Sequence, residues 1–200
     1  TLLLVVINGL FVAAEFSLVR AKASLLEARI EEDGDDSRRT RAALTAMTQI
    51  DSYLSACQLG ITMASIGLGF AGEPALGHLI EPLFGDAFGE KAATAVSITL
   101  AFTIITVLHI VIGELAPKSV AISKPEGVAR WLAGPLGVFR RVFSPAISVL
   151  NGAANWLVGL FGVRPASEME LGATGQELRA MVEHGRTRAT LDPGEAHMLS

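Results

Sequence analysis

Three long apolar stretches dominate the chain and are separated by segments rich in charge. The first covers residues 1–19 with a single charged residue, Glu15, and the others cover residues 53–72 and 92–113 without any Asp, Glu, Lys or Arg. A helix of about 20 residues is about 30 Å long, which matches the hydrocarbon core of a bilayer. The pattern therefore predicts an all-α membrane protein with three transmembrane helices.

A fourth apolar stretch, residues 142–163, differs from the other three in composition. It contains Pro145, Gly152, Asn151 and Asn155, and it follows Arg140 and Arg141 directly. These residues favour short helices that lie at the membrane interface or re-enter it, with a fourth crossing as the alternative. We expect a belt of such helices over about 118–163, to which Trp131 and Trp156 are suited.

The character of the chain changes again after Pro165, where charged residues become frequent. We therefore divide the chain into a transmembrane domain, 1–164, and a cytoplasmic helical linker, 165–200. The chain begins at Thr1 inside an apolar stretch and stops at Ser200 inside a polar helical pattern. We expect it to be an excised domain.

The distribution of basic residues predicts the orientation in the membrane. Six Arg and Lys residues lie in 20–41, between the first two spans, whereas Lys91 is the single one between the second and third. The positive-inside rule then places the amino terminus outside and the carboxyl terminus in the cytoplasm of a multi-pass protein of the cell membrane. With 50% hydrophobic residues, a net charge of −4 and one cysteine, the composition disfavours a soluble enzyme, a nucleic-acid binder and a disulfide scaffold.

Polar groups inside spans are costly, and Glu114 is the strongest functional candidate among them. It lies in the sequence Gly113-Glu114-Leu115-Ala116-Pro117-Lys118 at the inner end of the third span. Pro117 has no N–H, so the carbonyl of Gly113 is left free beside a carboxylate at the negative end of a helix, an arrangement that coordinates cations. In the alternative interpretation, Glu114 pairs with Lys118 and Pro117 ends the helix.

Hydroxyls supply the other candidate ligands. Thr62 and Ser65 share a face of the second span, and Ser17 lies near the inner end of the first, although membrane hydroxyls also commonly bond to their own helix. Oxygen-only ligands select hard, compact cations, so Mg²⁺ is the expected ion. Glu15 is a candidate for pairing or for a second ion such as Na⁺, and His109 is expected to pack rather than bind metal.

Small residues form a further stripe on the second span, at Ala56, Gly60 and Ala64. This spacing lets helices approach closely. We expect it to be a packing surface, with a dimer seam as one option.

Three ordered motifs, 11–17, 60–74 and 113–118, resemble the transmembrane domain of the CorC and cyclin M (CNNM) magnesium transporters. The resemblance implies a homodimer, a cavity open to the cytoplasm, and Mg²⁺ held by Ser17, by Thr62 or Ser65, and by Gly113 with Glu114. Several members have an asparagine where this chain has Ser65, which leaves open the choice between the two hydroxyls. The resemblance also implies Mg²⁺ export driven by Na⁺, and ATP acting through cystathionine-β-synthase (CBS) domains beyond the linker.

Other functions remain as alternatives at this point. A Mg²⁺ sensor or channel would use the same site without coupled transport. A structural anchor would explain the packing stripe but not the Gly113 to Pro117 motif. An intramembrane hydrolase using His109 is disfavoured, since no Gly-x-Ser-x-Gly motif occurs, and we expect no enzyme activity.

Overall fold

The computed structural model describes residues 1–33, 37–80 and 90–161, and these segments are helical apart from short connections. The elements in chain order are α1 (Leu2–Arg20), α2 (Ala23–Asp33), α3 (Arg38–Thr48), α4 (Ile50–Gly67), the π-helical segment π1 (Leu68–Gly72), α5 (Glu73–Ile80), α6 (Glu90–Leu108), the π-helical segment π2 (His109–Leu115), α7 (Ala116–Ser123), α8 (Pro125–Val142) and α9 (Ser144–Leu160). The described residues contain no β-strand, so the all-α prediction is confirmed.

In residues 1–33, 37–80 and 90–161, three helical stretches are long and apolar enough to cross a membrane, as predicted. They are Leu2–Arg20, Ile50–Ile80 and Ala93–Ser123, and the second and third are 31 residues long. Both extend past the predicted ends at residues 72 and 113, because a π-helical segment carries the chain on into another helix. The predicted number of spans is therefore right, and two of their ends lie further along the chain than expected.

The alternative interpretation, in which Pro117 ends the third helix, is wrong. At π2 the Ala116 N–H donates to the carbonyl of Val111, five residues earlier, so the helix widens and continues. Pro117 lies in the first turn of α7, the position at which a missing N–H costs least.

Helix α1 is the centre of the fold and packs against α4, π2, α7 and α8. Two apolar cores follow from this packing, a larger one containing Leu18, Leu26 and Tyr53 and a smaller one formed by Val5, Leu68 and Ile105. The stripe of small residues belongs to this interior: Ala56, Gly60 and Ala64 are buried, and the Phe11 ring lies over Gly60. The stripe therefore packs within one chain, and its use as a dimer seam is excluded by this burial.

The region of the predicted belt consists of three helices, α7, α8 and α9. Residues 144–160 form one helix of 17 residues instead of several short ones, and this helix is not one of the three candidate spans. The chain divides into two compact units, residues 1–152 and 153–200, and the second is described only up to Phe161. The predicted linker, 165–200, lies outside the described residues, and the interfacial position of the belt stays a prediction.

Candidate functional site

Helix α1 approaches π2 closely at two glycines. A Cβ added to Gly9 would lie 2.8 Å from Cγ of Pro117 and 3.0 Å from the carbonyl oxygen of Ile112. A Cβ added to Gly113 would lie 3.4 Å from both Nδ2 of Asn8 and Cγ1 of Val5 on α1, and 2.8 Å from Cδ2 of His109 within π2. No larger side chain fits either position without displacing a neighbour, so the two glycines set the distance between the helices.

Asn8 uses this close approach to connect three helical elements. Its side chain is 2% exposed, and its Nδ2 donates a hydrogen bond of 2.9 Å to the carbonyl oxygen of Gly113. Its Oδ1 accepts a longer hydrogen bond, 3.4 Å, from the hydroxyl of Ser65 on α4. Asn8, Ser65 and Gly113, which we call the Asn8 cluster, thus bring three oxygen atoms together where α1, α4 and π2 meet.

The carbonyl of Gly113 accepts from Asn8 in the turn where Pro117 supplies no N–H. In a regular helix this oxygen would accept from the N–H of residue 117, and Pro117 has none. A buried carbonyl without a donor is costly, and Asn8 supplies the donor from the neighbouring helix. The motif at 113–117 therefore supplies the hydrogen-bond acceptor, and the amide of Asn8 on α1 supplies the donor.

The structure brings Ser65 and Gly113 together but leaves two other predicted ligands apart from them. Ser17 is fully buried, and its hydroxyl donates to the Ala14 carbonyl of its own helix at 3.0 Å. It follows Asn8 by nine residues, which is about 13 Å along α1 and half a turn around it. Thr62 is exposed and donates to the Gln58 carbonyl at 2.8 Å. Both hydroxyls therefore bond to their own helix, which was the alternative to a ligand role.

Glu114 lies beside the cluster in sequence and is exposed. The contact found for the Lys118 ammonium is with α1 instead of Glu114: its Nζ lies 4.4 Å from the centroid of the Phe16 ring. Glu114 is thus an exposed carboxylate that follows the buried Gly113 in the sequence. The His109 ring lies beside Gly113, four residues further along the same segment.

Asn8 was not predicted from the sequence, although a signal for it exists. Asn8 is an amide within the apolar stretch 1–19. Burying a polar side chain there is costly, which is the same signal that made Glu15 and Ser17 candidates. Glu15 itself is half-buried in α1. Within the parts of the chain that the structure covers, no three His, Cys, Asp or Glu residues group together, so oxygen atoms of amide, hydroxyl and backbone are the ligands on offer.

A comparison with known proteins identifies the family. The family model described as the cyclin M transmembrane N-terminal domain matches residues 1–195. The chain belongs to this family. Among its curated relatives, the UPF0053 proteins YhdT and YugS of Bacillus subtilis (strain 168) are 42% and 40% identical over 193 residues, which is 96% of this chain and 41% and 44% of theirs. The uncharacterized protein Rv1841c of Mycobacterium tuberculosis is 36% identical over 199 residues, 56% of its length.

The cyclin M membership confirms the resemblance drawn from the three motifs. The chain is a membrane domain of a transporter-type family and not of an enzyme family. It spans about half the length of the curated relatives that it matches, so the activity of a whole protein is a matter for proposal.

Proposed function

We propose that this cyclin M membrane domain binds Mg²⁺ at the Asn8 cluster and Glu114 and carries it across the membrane. The observation that supports the proposal most strongly is the Gly113 carbonyl, which lies four residues before Pro117 and accepts a hydrogen bond from Asn8 of another helix. A carbonyl presented in this way can exchange one hydrogen-bond donor for a cation without loss of helical structure.

The chemistry of the cluster suits Mg²⁺ as the transported ion. Amide, hydroxyl and backbone oxygens are hard ligands, and Mg²⁺ prefers such oxygens while retaining several of its own waters. Glu114, one residue from the carbonyl, supplies the negative charge that three neutral ligands lack. Ser17 stays outside the proposed ligand set because it lies about 13 Å along α1 from Asn8, and Thr62 because its exposed hydroxyl contacts Gln58 and not a member of the cluster.

The proposed direction is export from the cytoplasm in exchange for Na⁺, through alternating exposure of the site to the two sides. Glu15 is our candidate for the Na⁺ site, because it is a half-buried carboxylate in the span that also carries Asn8. The basic residues after α1 support an outside amino terminus in the cell membrane.

We propose that the functional unit is a homodimer whose CBS domains bind ATP and follow residue 200. The relatives are about twice as long as this chain, which leaves room for such domains. Exposed apolar side chains on α6, including Ile98, Phe102 and Val107, offer a surface to lipid or to a second copy. Light scattering on the detergent-solubilised protein would measure the oligomeric state.

Flux measurements in liposomes test the transport proposal. The purified protein is reconstituted with a Mg²⁺-sensitive dye inside, and Mg²⁺ movement is followed with and without an opposing Na⁺ gradient. We expect flux that follows the Na⁺ gradient and that Glu114→Gln abolishes, since glutamine keeps the shape of the side chain and removes its charge. Glu126→Gln, which removes a carboxylate at the start of α8, is the matched control and should leave flux unchanged.

The other outcomes separate the competing functions. Glu114-dependent flux that ignores the Na⁺ gradient would indicate a channel. Intact Mg²⁺ binding without flux would indicate a sensor. Flux that Glu114→Gln leaves unchanged would contradict the site.

A further inference from the structure

An apolar groove runs between α1 and α8, away from the Asn8 cluster. Its cavity volume is about 300 Å³. Successive turns of two helices line it, Ile7, Leu10, Phe11 and Ala14 on one side and Trp131, Leu132, Pro135, Leu136 and Phe139 on the other. Because α1 is a membrane-spanning helix, a groove along it lies at the depth of lipid acyl chains.

One end of this groove is cationic. The guanidinium carbon of Arg39 lies 5.4 Å from the ring centroid of Trp131, and the Trp131 side chain is 68% exposed. Arg39 and its neighbour Arg38 occupy the first turn of α3, where the helix dipole disfavours positive charge. Two arginines at the positive end of a helix create a strongly anion-attracting point beside an apolar trough.

The direction of α8 fixes which end of the groove is charged. The first turn of α8 lies at the end of α1 that leads into Lys22, because the Lys22 N–H donates to Glu126 at 3.3 Å. Further along α8, the Phe139 ring is 4.8 Å from that of Phe11, near the middle of α1. Trp131 and Arg39 therefore lie toward the basic end of α1, and the apolar walls lead from there toward the bilayer centre.

We propose that the groove binds an anionic phospholipid, with one acyl chain between α1 and α8 and the phosphate at Arg39. Both ends of such a lipid match the groove. The apolar trough lies at the depth of the acyl chains, and the arginine lies at the basic end, the side that the positive-inside rule assigns to the cytoplasm. A zwitterionic phospholipid fills the trough with the same acyl chains, but its choline offsets the charge of its phosphate, so the arginine attracts it less than a lipid of net negative charge. Site-bound lipid of this kind holds α8 against the transmembrane helix.

The two tryptophans of the chain make a direct test possible. In the Trp156→Phe protein, Trp131 is the single tryptophan and reports on the groove. The protein is reconstituted into phosphatidylcholine vesicles that contain a minor fraction of chain-brominated lipid, either phosphatidylglycerol or phosphatidylcholine. We expect brominated phosphatidylglycerol to reach a given quenching of Trp131 at about one fifth of the amount that brominated phosphatidylcholine needs. This ratio is the enrichment of an anionic lipid that one arginine near the membrane provides.

Two charge variants and one titration decide the outcome. Arg39→Gln should remove the preference for the anionic lipid, whereas Arg141→Gln, the loss of an exposed arginine elsewhere on α8, should preserve it. Equal quenching by the two lipids, or equal effects of the two variants, would overturn the proposal. Loss of quenching as the protein-to-lipid ratio rises would overturn it too, because a second copy of the chain would then occupy the groove.

Discussion

The two π-helical segments found in the described part of the chain have the same backbone irregularity and different surroundings. At π1 the packing is apolar: Leu68 and Gly72 are buried, and Leu68 joins Val5 and Ile105 in a core cluster. At π2 the Gly113 carbonyl accepts a hydrogen bond from Asn8, and Gly9 lets α1 approach. Both segments lengthen a span, and π2 is the one that brings polar atoms of three helical elements together.

The difference shows what a π-helical segment needs in order to become a site. Widening a helix shifts the bonding of its carbonyls, and a proline four residues after one of them removes a donor altogether. The carbonyl becomes a ligand only when a neighbouring helix lies close and offers a polar group. At π2 all three conditions hold, through Pro117, Gly9 and Asn8.

The largest expected effect is the loss of the close approach at π2. Gly9→Leu places a side chain where even a Cβ would lie 2.8 Å from Pro117 Cγ and 3.0 Å from a backbone oxygen. We expect the free energy of unfolding to fall by about 3 kcal/mol, since overpacking outweighs the gain in helix propensity. Titration with a denaturing detergent measures it.

Gly69→Leu in π1 is the matched control for that change. Gly69 is exposed, and a Cβ there would have no neighbour within 4 Å. We expect no loss of stability, and a gain of up to about 1 kcal/mol from helix propensity. A similar loss for both variants would show that the π-helical segments themselves, and not the helix contact at π2, respond to substitution.

A smaller effect is expected from Asn8→Leu, which keeps the size of the side chain and removes the amide. The buried carbonyl of Gly113 loses its donor, so the unfolding free energy should fall by about 2 kcal/mol. Detergent titration in the absence of Mg²⁺ isolates this structural term. An unchanged stability would mean that the carbonyl finds another donor and that Asn8 does not join α1 to π2.

Ser65→Ala should have the smallest effect of the series. Its hydrogen bond to Asn8 is 3.4 Å long, so its removal should cost about 0.5 kcal/mol of stability. We also expect the variant to weaken Mg²⁺ binding less than Glu114→Ala does, as calorimetry on both proteins would show. The reverse order would make the hydroxyl the dominant ligand and Glu114 secondary.

The fold could be predicted from the sequence to a large extent because the bilayer leaves few choices. Uninterrupted apolar length gave three spans, and the structure moves two of their ends only because π-helical segments carry the helix past glycines. The freed carbonyl of Gly113 was also predictable, since a proline has no N–H. These conclusions depend on residues that are close together in the sequence.

The composition of the cluster depends on packing between distant residues and was harder to predict. Asn8 and Gly113 are 105 positions apart, and nothing near either one indicates that they bond. Hydroxyls illustrate the same limit: Thr99 and Thr103 bond to their own helix, as Ser17 and Thr62 do, whereas Ser65 turns to a neighbour. Residue type indicates which groups can be ligands, and the helix contacts decide which of them meet.

Calorimetric titration with Mg²⁺ tests the proposed site most directly, with Asn8→Leu and Thr62→Val compared in parallel. Both substitutions remove a polar group from a spanning helix, but only Asn8 belongs to the cluster, whereas the Thr62 hydroxyl is bonded to its own helix. We predict that Asn8→Leu weakens Mg²⁺ binding at least tenfold, about 1.4 kcal/mol, and that Thr62→Val binds like the parent. Equal affinities for the parent and Asn8→Leu, or a loss confined to Thr62→Val, would contradict the account.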